Sequence, residues 1–178
     1  LDRIRVADSL NKRIVIMTLK LVLVRNLYGS NENKFALEEP VGVCAEEGSD
    51  VLYITDYKKH CVLVVKEDGT HIRVFGKEGK KPGELYRPWG IALSEGRLYI
   101  TDCEHRVQVF ETNGTYITTY GSGRGSGPSN FCYPYGLTVV GSIVYVADCG
   151  NDRIQRLNKK TGEFLAPIGS KGKGKGQL

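Results

Sequence analysis

The stretch YRPWGIALSEGRLYITDCEHRVQVFETNGTYITTY, residues 86–120, contains four short runs rich in β-branched and aromatic residues. Such runs, separated by polar turns, are typical of β-strands. A tight turn over 94–97 follows the first run, a polar turn begins at Asp102, and Asn113-Gly114 is a two-residue hairpin signal. Four antiparallel strands within about 46 residues predict one blade of a β-propeller.

The same pattern occurs four times along the chain. An aspartate closes the second run of each copy, and the copies follow one another at intervals of about 46 to 48 residues. A period in the forties that is built from short strands is the signature of propeller blades. The repeated aspartates are Asp8, Asp56, Asp102 and Asp148, and the copies end in glycine at Gly29, Gly76, Gly121 and Gly169.

We therefore predict an all-β fold, a β-propeller of four-stranded antiparallel blades, as one unit over residues 1–178. About four blades fall in this chain, which makes a partial ring. The predicted blades span 1–29 (partial), 36–76, 84–121 and 131–169, and 170–178 is predicted to start a further blade. We expect further blades or another chain to complete the ring, because terminal blades alone leave unpaired strand edges.

The repeated motif resembles a known family. Its order is Pro-x-Gly-apolar, then apolar-Tyr-apolar-x-Asp, a turn, Arg-apolar-Gln-apolar, a glycine and finally Tyr/Phe-Gly, which is similar to the NHL repeat. The resemblance covers nearly the whole chain and implies a propeller that binds other molecules. Asn11 and Asn151 fall on the family's Asn, His60 and His105 fall on its His, and Cys61 replaces the Arg before the third strand.

The composition favours a soluble protein of the cell interior. The 178 residues include 22 glycines, one tryptophan and five cysteines, and the net charge is +5. No apolar run approaches the roughly 18 residues of a membrane helix, so we expect no membrane partner. The cysteines do not form CxxC pairs, so we predict neither a disulfide framework nor a zinc ribbon. Reduced thiols indicate an intracellular, cytoplasmic location.

The chain shows no nucleophile elbow, no H-E-x-x-H pair and no dinucleotide fingerprint. We predict that it is not an enzyme, that it has no catalytic or metal-binding residues and that it needs no cofactor. The repeated aspartates are predicted to be structural, because a carboxylate at a strand end can accept turn N–H groups and pair with Arg106 or Arg153.

The NHL resemblance leaves a weaker alternative open, a metalloenzyme similar to peptidyl-amidating lyases. Some members of the family are such lyases and hold zinc with several histidines near the central channel. This chain has three histidines, and none of them falls on a predicted first strand, which would line the channel. These histidines are His60, His71 and His105.

Two sets of loops are predicted to share one face, the blade-to-blade loops and the turns after the repeated aspartates. Resemblance to propellers makes this the usual binding face. Basic and aromatic residues gather there, and this mixture suits a protein partner, which is the function we favour. It also suits single-stranded RNA, as in some tripartite-motif proteins bearing NHL repeats, and RNA binding is the alternative.

The predicted partner-binding residues combine positive charge with aromatic rings. They are Lys77, Lys80, Lys81, Arg87, Trp89, Arg124, Tyr133 and Tyr135. The opposite face is predicted to carry Glu46, Glu47, Asp50, Glu95, Glu111 and Glu163, so we expect two faces of opposite charge.

Overall fold

The computed structural model describes residues 3–18, 23–28, 36–172 and 174–177, and these residues form strands and turns with only two three-residue 3-10 helices. The 3-10 helices are Ser9–Asn11 and Cys149–Asn151. The strands are β1 (Arg3–Asp8), β2 (Arg13–Thr18), β3 (Leu23–Tyr28), β4 (Pro40–Ala45), β5 (Val51–Asp56), β6 (Cys61–Lys66), β7 (His71–Phe75), β8 (Pro88–Ser94), β9 (Arg97–Asp102), β10 (Arg106–Glu111), β11 (Tyr116–Tyr120), β12 (Pro134–Val140), β13 (Ile143–Asp148), β14 (Arg153–Asn158) and β15 (Phe164–Ile168).

The strands form four antiparallel sheets, each made of consecutive strands. The first sheet has the order β1-β2-β3, and the other three are β4 to β7, β8 to β11 and β12 to β15. The predicted blades 36–76, 84–121 and 131–169 each contain one four-stranded sheet. The predicted all-β propeller architecture is thus confirmed. The predicted blade end at Gly29 lies outside the described residues.

The sheets pack face to face in chain order, with β1 against β4, β4 against β8 and β8 against β12. The first strands β4, β8 and β12 therefore lie side by side as the inner strands of the arrangement. Within the described ranges the last sheet does not return to pack broadly on the first, so the ring is partial and open. No described helix has the length and apolar character that a membrane crossing requires.

Alternation along the middle strands builds the core between the blades. In β9, Leu98 and Ile100 are fully buried in a cluster with Val62 and Val64 of the preceding blade. Tyr99 lies between them in sequence and packs on the other side, in a cluster with residues of the following blade such as Val144. Successive side chains of a strand point to opposite faces, so one strand serves two interfaces.

A buried ion cluster joins the first two sheets, and the sequence analysis missed it. Glu67, just after β6, is buried and pairs with Arg5 of β1 at 2.6 Å. Arg3 on the same strand also pairs with Glu67. Glu67 lies 64 residues from Arg3 and 62 from Arg5 in the sequence, so no local pattern indicates the pairing. The cluster fixes the edge of the first sheet against the second blade.

The glycine of each Pro-x-Gly motif allows the inner strands to approach at the backbone. A Cβ placed on Gly90 would lie 2.5 Å from the carbonyl oxygen of Tyr135, and one on Gly42 would lie 2.6 Å from that of Trp89. Hydroxyl groups bridge the same gaps: the Thr55 hydroxyl donates to the Trp89 carbonyl and the Thr101 hydroxyl to the Tyr135 carbonyl, both at 2.6 Å. Only a residue without a side chain fits at these contacts.

We expect Gly90→Ala to destabilise the protein by about 1–3 kcal/mol, because the new methyl group overpacks the contact with Tyr135. Gly136→Ala is the matched control, since it changes the same motif position where nothing lies within 4 Å of the added Cβ. The control should change the free energy of unfolding by less than about 0.5 kcal/mol. Urea denaturation followed by circular dichroism measures both, and equal losses would contradict the backbone-contact explanation.

Candidate functional site

The turns after the repeated aspartates contact the blade-to-blade loops and form one surface, which we call the upper face. The Cys103 N–H donates to the Tyr86 carbonyl at 2.8 Å, and the Cys149 N–H donates to the Tyr133 carbonyl at 3.2 Å. Each contact joins a turn to the residues that enter the inner strand of the same blade. The upper face therefore contains the predicted binding residues and the repeated aspartates together.

Asp102 is fully buried at the base of this face and is surrounded by donors. Its carboxylate accepts N–H groups from Glu104 at 3.1 Å and Tyr86 at 3.3 Å, and it pairs with the Arg106 guanidinium at 3.0 Å. Burial raises the pKa of Asp102, while Arg106 and the two N–H groups oppose that rise. The carboxylate is thus a structural anchor whose oxygens are occupied by the turn, the loop and the third strand.

The arginine that pairs with the aspartate also holds the preceding loop. Arg106 donates to the carbonyls of Lys80 at 2.7 Å and Glu84 at 2.9 Å. In the last sheet, Arg153 pairs with Asp148 at 2.8 Å and donates to the Ser126 carbonyl at 2.9 Å. Each arginine therefore ties an aspartate to a loop of the upper face.

The other two aspartates differ from Asp102 and Asp148: Asp56 lacks the arginine partner, and Asp8 keeps it but is less buried. Asp56 is buried and accepts N–H groups from Glu38 at 2.7 Å and Lys59 at 3.1 Å, and Cys61 stands where the other blades have the arginine. Asp8 is partly exposed and pairs with Arg13 at 2.7 Å. The hydrogen bond from Arg13 lowers the pKa of Asp8 below its usual range.

The histidines of the upper face connect neighbouring blades. The Arg87 N–H donates to Nδ1 of His60 and the Tyr133 N–H donates to Nδ1 of His105, both at 3.0 Å. All four residues have left-handed backbones, with φ between 51° and 57°. Non-glycine residues adopt this conformation infrequently, and histidine does so more often than most. The histidines thus hold the residues before Pro88 and Pro134 in a defined orientation.

Three aromatic rings form a continuous row on the upper face, which we call the ring ladder. Trp89 lies 4.4 Å from Tyr135 and 5.2 Å from Tyr57, measured between ring centroids. Trp89 and Tyr135 occupy the same motif position in neighbouring blades, so the close approach of the inner strands brings their rings together. Tyr57 was not among the predicted binding residues, although it directly follows Asp56 in one of the turns that were predicted to share this face. Only the fold places it beside Trp89.

The ring ladder is partly open to solvent. Tyr135 is 39% exposed and Tyr133 beside it is 43% exposed. The indole Nε1 of Trp89 is buried and has no hydrogen-bond partner in the described part of the chain. Large rings that remain exposed on a rigid surface are typical anchors for a binding partner.

The predicted basic residues divide into two groups. Lys77 pairs with Glu84 at 3.3 Å and Lys80 pairs with Glu104 at 3.0 Å, so their charges are largely balanced. Arg87, Arg124 and Lys81 have no carboxylate within 4.0 Å among the residues that the structure describes. Arg87 lies 5.4 Å from the ring centroids of both Tyr57 and Tyr86, and Arg124 lies 5.6 Å from that of Tyr133.

The expected contrast in charge between the two faces is weaker than the sequence suggested. Acidic residues on the upper face neutralise its lysines, as in the pair of Lys58 with Glu39 at 3.2 Å. On the opposite face, Lys159 pairs with Glu95 at 2.8 Å. Ion pairs form between residues of different loops, so counting charges along the sequence overestimated the separation.

A family model described as the NHL repeat matches residues 85–110, the stretch that contains Arg87, Trp89 and the Asp102–Arg106 pair. NHL repeat-containing protein 3 of Homo sapiens is 28% identical over 186 residues, covering 89% of this chain and 52% of the relative. Peptidyl-glycine alpha-amidating monooxygenase B of Xenopus laevis is 30% identical over 155 residues, covering 80% of this chain and 17% of the relative.

A chain in the crystal structure of a nidogen/laminin complex has a similar fold. Its TM-score is 0.74 at 18% identity, and the match covers 93% of this chain and 58% of that chain. At this identity the likeness concerns the fold alone. The chain spans about half the length of the human relative, 52%, and 17% of the Xenopus one.

We expect Asp102→Ala to destabilise the protein by about 3 kcal/mol, because Arg106 would remain charged and buried without its partner. Asp8→Ala is the control, since it removes the same motif residue where the carboxylate is partly exposed, and it should cost less. Thermal unfolding measures both variants. If Asp102→Ala left the melting temperature unchanged and abolished binding of a partner, Asp102 would be a binding residue instead.

His105 should titrate below its ordinary pKa of 6.5, because burial lowers its pKa and Arg124 lowers it further, against the opposing effects of Glu104, Asp102 and Asp148. Because the pKa of His105 is lower in the folded state than in the unfolded state, neutral His105 contributes fully to the free energy of unfolding above pH 6.5. This contribution is lost as the pH falls from 6.5 through the folded-state pKa. Protonation of Nδ1 also removes the acceptor of the Tyr133 N–H. NMR titration of the imidazole signals tests this, and a midpoint above 6.5 would contradict it.

Proposed function

Because this chain belongs to the NHL-repeat β-propeller family, we propose that it is a non-enzymatic interaction module that docks a protein partner on its upper face. The ring ladder is the observation that carries this proposal. Trp89, Tyr135 and Tyr57 form one aromatic surface, and exposed Trp and Tyr are frequent anchors of protein interfaces. The hydrogen bonds of His60 and His105 hold the surrounding backbone in place before a partner arrives.

The charge pattern of the upper face supports a protein rather than RNA. Nucleic acids bind through many unpaired cations that neutralise successive phosphates. Here Lys77 and Lys80 are paired with Glu84 and Glu104, which leaves a mixture of acidic, basic and aromatic groups. Leu10, in the equivalent turn of the first sheet, is 97% exposed, and an apolar side chain at that place suits a protein contact.

Single-stranded RNA remains the second candidate, and one observation favours it. Bases stack on exposed aromatic rings, and the ring ladder lies beside the unpaired guanidinium groups of Arg87 and Arg124. Base stacking with phosphate pairing would use the same surface as the protein partner. The two candidates differ in their response to salt.

The amidating-lyase alternative is the third candidate and is supported by the similarity to the Xenopus monooxygenase. The two turn histidines use Nδ1 to accept backbone N–H groups, which is a structural task. Burial raises the pKa of the Cys44 and Cys61 thiols to about 12, so both are poor nucleophiles. Among the described residues, no three His, Cys, Asp or Glu side chains form a group that could hold a metal ion.

We also propose that the protein is intracellular and that a further blade or another chain covers the last sheet. The five cysteines are free thiols, which supports a reducing location.

The glycine of the last Pro-x-Gly motif, Gly136, has open space where Gly42 and Gly90 contact the next inner strand. The Gly174 N–H donates to Gln177 at 2.7 Å, as the Lys81 N–H donates to Glu84 in the loop before β8, which supports a blade start at 170–178. Residues 173 and 178 lie outside the described part.

A selection of phage-displayed random peptides against the protein tests the docking proposal. We expect enriched peptides that bind the unmodified protein and lose about 2 kcal/mol or more of binding free energy with Trp89→Ala, because Trp89 is the centre of the ring ladder. Tyr145→Ala is the control, since it removes an aromatic ring of β13 outside the ladder. Calorimetry measures the affinities, and circular dichroism checks that both variants fold.

A titration with oligouridylate at several salt concentrations tests the RNA candidate. If RNA is the ligand, the logarithm of the affinity should fall by roughly 0.7 per phosphate neutralised for each tenfold rise in salt. Joint replacement of Lys80, Lys81 and Arg87 by Ala should then flatten this dependence. Steep salt dependence without any enriched peptide would replace the protein-docking proposal by RNA binding.

A further inference from the structure

Arg87 and Arg124, like Lys81, are exposed and have no carboxylate partner among the described residues, in contrast to Lys77 and Lys80. Neither has a carboxylate within 4.0 Å in the described part of the chain, whereas the neighbouring Lys80 pairs with Glu104. Both guanidinium groups instead lie over tyrosine rings, Arg87 over Tyr57 and Tyr86 and Arg124 over Tyr133. Their charge is therefore held at the surface without being neutralised.

The tyrosine contacts orient these two guanidinium groups. Each guanidinium lies within the roughly 6 Å at which a cation is attracted to the face of an aromatic ring. A guanidinium has five N–H donors, so one contact with tyrosine leaves donors for a second partner. The backbones on either side are also held, because the N–H groups of Arg87 and Tyr133 donate to His60 and His105. A prearranged donor group loses little conformational entropy when a partner binds.

Arg87 contacts the ring ladder, and Arg124 contacts a tyrosine that is close to the ladder in sequence. Arg87 contacts Tyr57 at one end, and Arg124 contacts Tyr133, which lies two residues before Tyr135 at the other end. Between them Trp89 is 5.2 Å from Tyr57 and 4.4 Å from Tyr135. In an extended peptide the side chains of alternate residues are about 6.6 Å apart along the chain, so a few residues span the ladder.

We infer that the partner of this site is an extended acidic peptide segment whose carboxylates pair with Arg87 and Arg124 while an apolar side chain between them packs on the ring ladder. The inference rests on the docking function proposed above and specifies its ligand. A guanidinium and a carboxylate match in geometry and form two parallel hydrogen bonds. The aromatic surface between the two cations supplies the apolar contact that an acidic segment alone lacks.

The probe is a capped heptapeptide, Gly-Glu-Ser-Leu-Ser-Glu-Gly, in which both Glu and the Leu point to one side of an extended chain. It is compared with the same peptide carrying Gln in place of both Glu. Trp89 is the single tryptophan of the chain, so its fluorescence reports binding at the ladder directly. We expect the Glu peptide to change the Trp89 emission and to bind about fivefold or more tightly than the Gln peptide. Calorimetry provides a second measurement that does not depend on the tryptophan.

Substitutions test whether peptide binding depends on Arg87 and Arg124 themselves or on positive charge in general. Arg87→Gln and Arg124→Gln should each weaken the Glu peptide by about fivefold and leave the Gln peptide unchanged. Arg97→Gln is the matched control, since it removes the same exposed charge on the opposite face, and it should have little effect. Arg87→Lys keeps the charge without the planar fork and should bind with intermediate affinity. Circular dichroism confirms that each variant folds.

Equal affinity for the two peptides, or no binding of either at millimolar concentration, would overturn the inference. Equal effects of Arg87→Gln and Arg97→Gln on the affinity for the Glu peptide would also overturn it. The random-peptide selection separates this failure from failure of the docking proposal. Enriched peptides that need Trp89 and contain no acidic residues would keep the docking function and reject the acidic ligand. Binding of oligouridylate in place of every peptide would reject both.

Discussion

Asp102 carries its charge in a fully buried position, where an ionised carboxylate is costly unless donors surround it. Arg106 and two backbone N–H groups supply these donors. Arg106 in turn donates to the carbonyls of the loop that precedes β8, including Glu84. One buried carboxylate thus connects a turn, a strand and a loop. The orientation of the upper face in this blade depends on that connection, because the loop leads directly to Arg87 and Trp89.

Contact between inner strands is the second constraint, and it explains why aromatic residues meet. Gly90 brings the backbone of β8 against that of β12, and the Thr101 hydroxyl bridges to the Tyr135 carbonyl. Side chains at equivalent motif positions then have to lie next to each other. For this reason the ring centroids of Trp89 and Tyr135 lie only 4.4 Å apart. The surface available for binding thus forms from positions that each blade carries for structural reasons.

The charge pattern of the upper face arises because carboxylates pair with some of its cations and not with others. Surface lysines pair with glutamates of adjacent loops, and such exposed pairs contribute little to stability. Arg87 and Arg124 lie over tyrosine rings and keep their charge available. Among the described residues, the free positive charge of the upper face thus includes these two arginines beside the aromatic row, together with Lys81. A modest net charge of +5 for the whole chain is compatible with such local recognition.

The sequence by itself determined the blades, because the signals involved are local: alternation along strands, turn residues such as Asn113-Gly114, and the repeated aspartates. It also indicated Trp89 and Tyr135 as exposed rings of one face. Only the tertiary structure decided that Tyr57 joins them and that Glu104 neutralises Lys80. These neighbours belong to different loops or blades, and their distances depend on how closely twisted sheets pack, which no pattern along a single chain encodes.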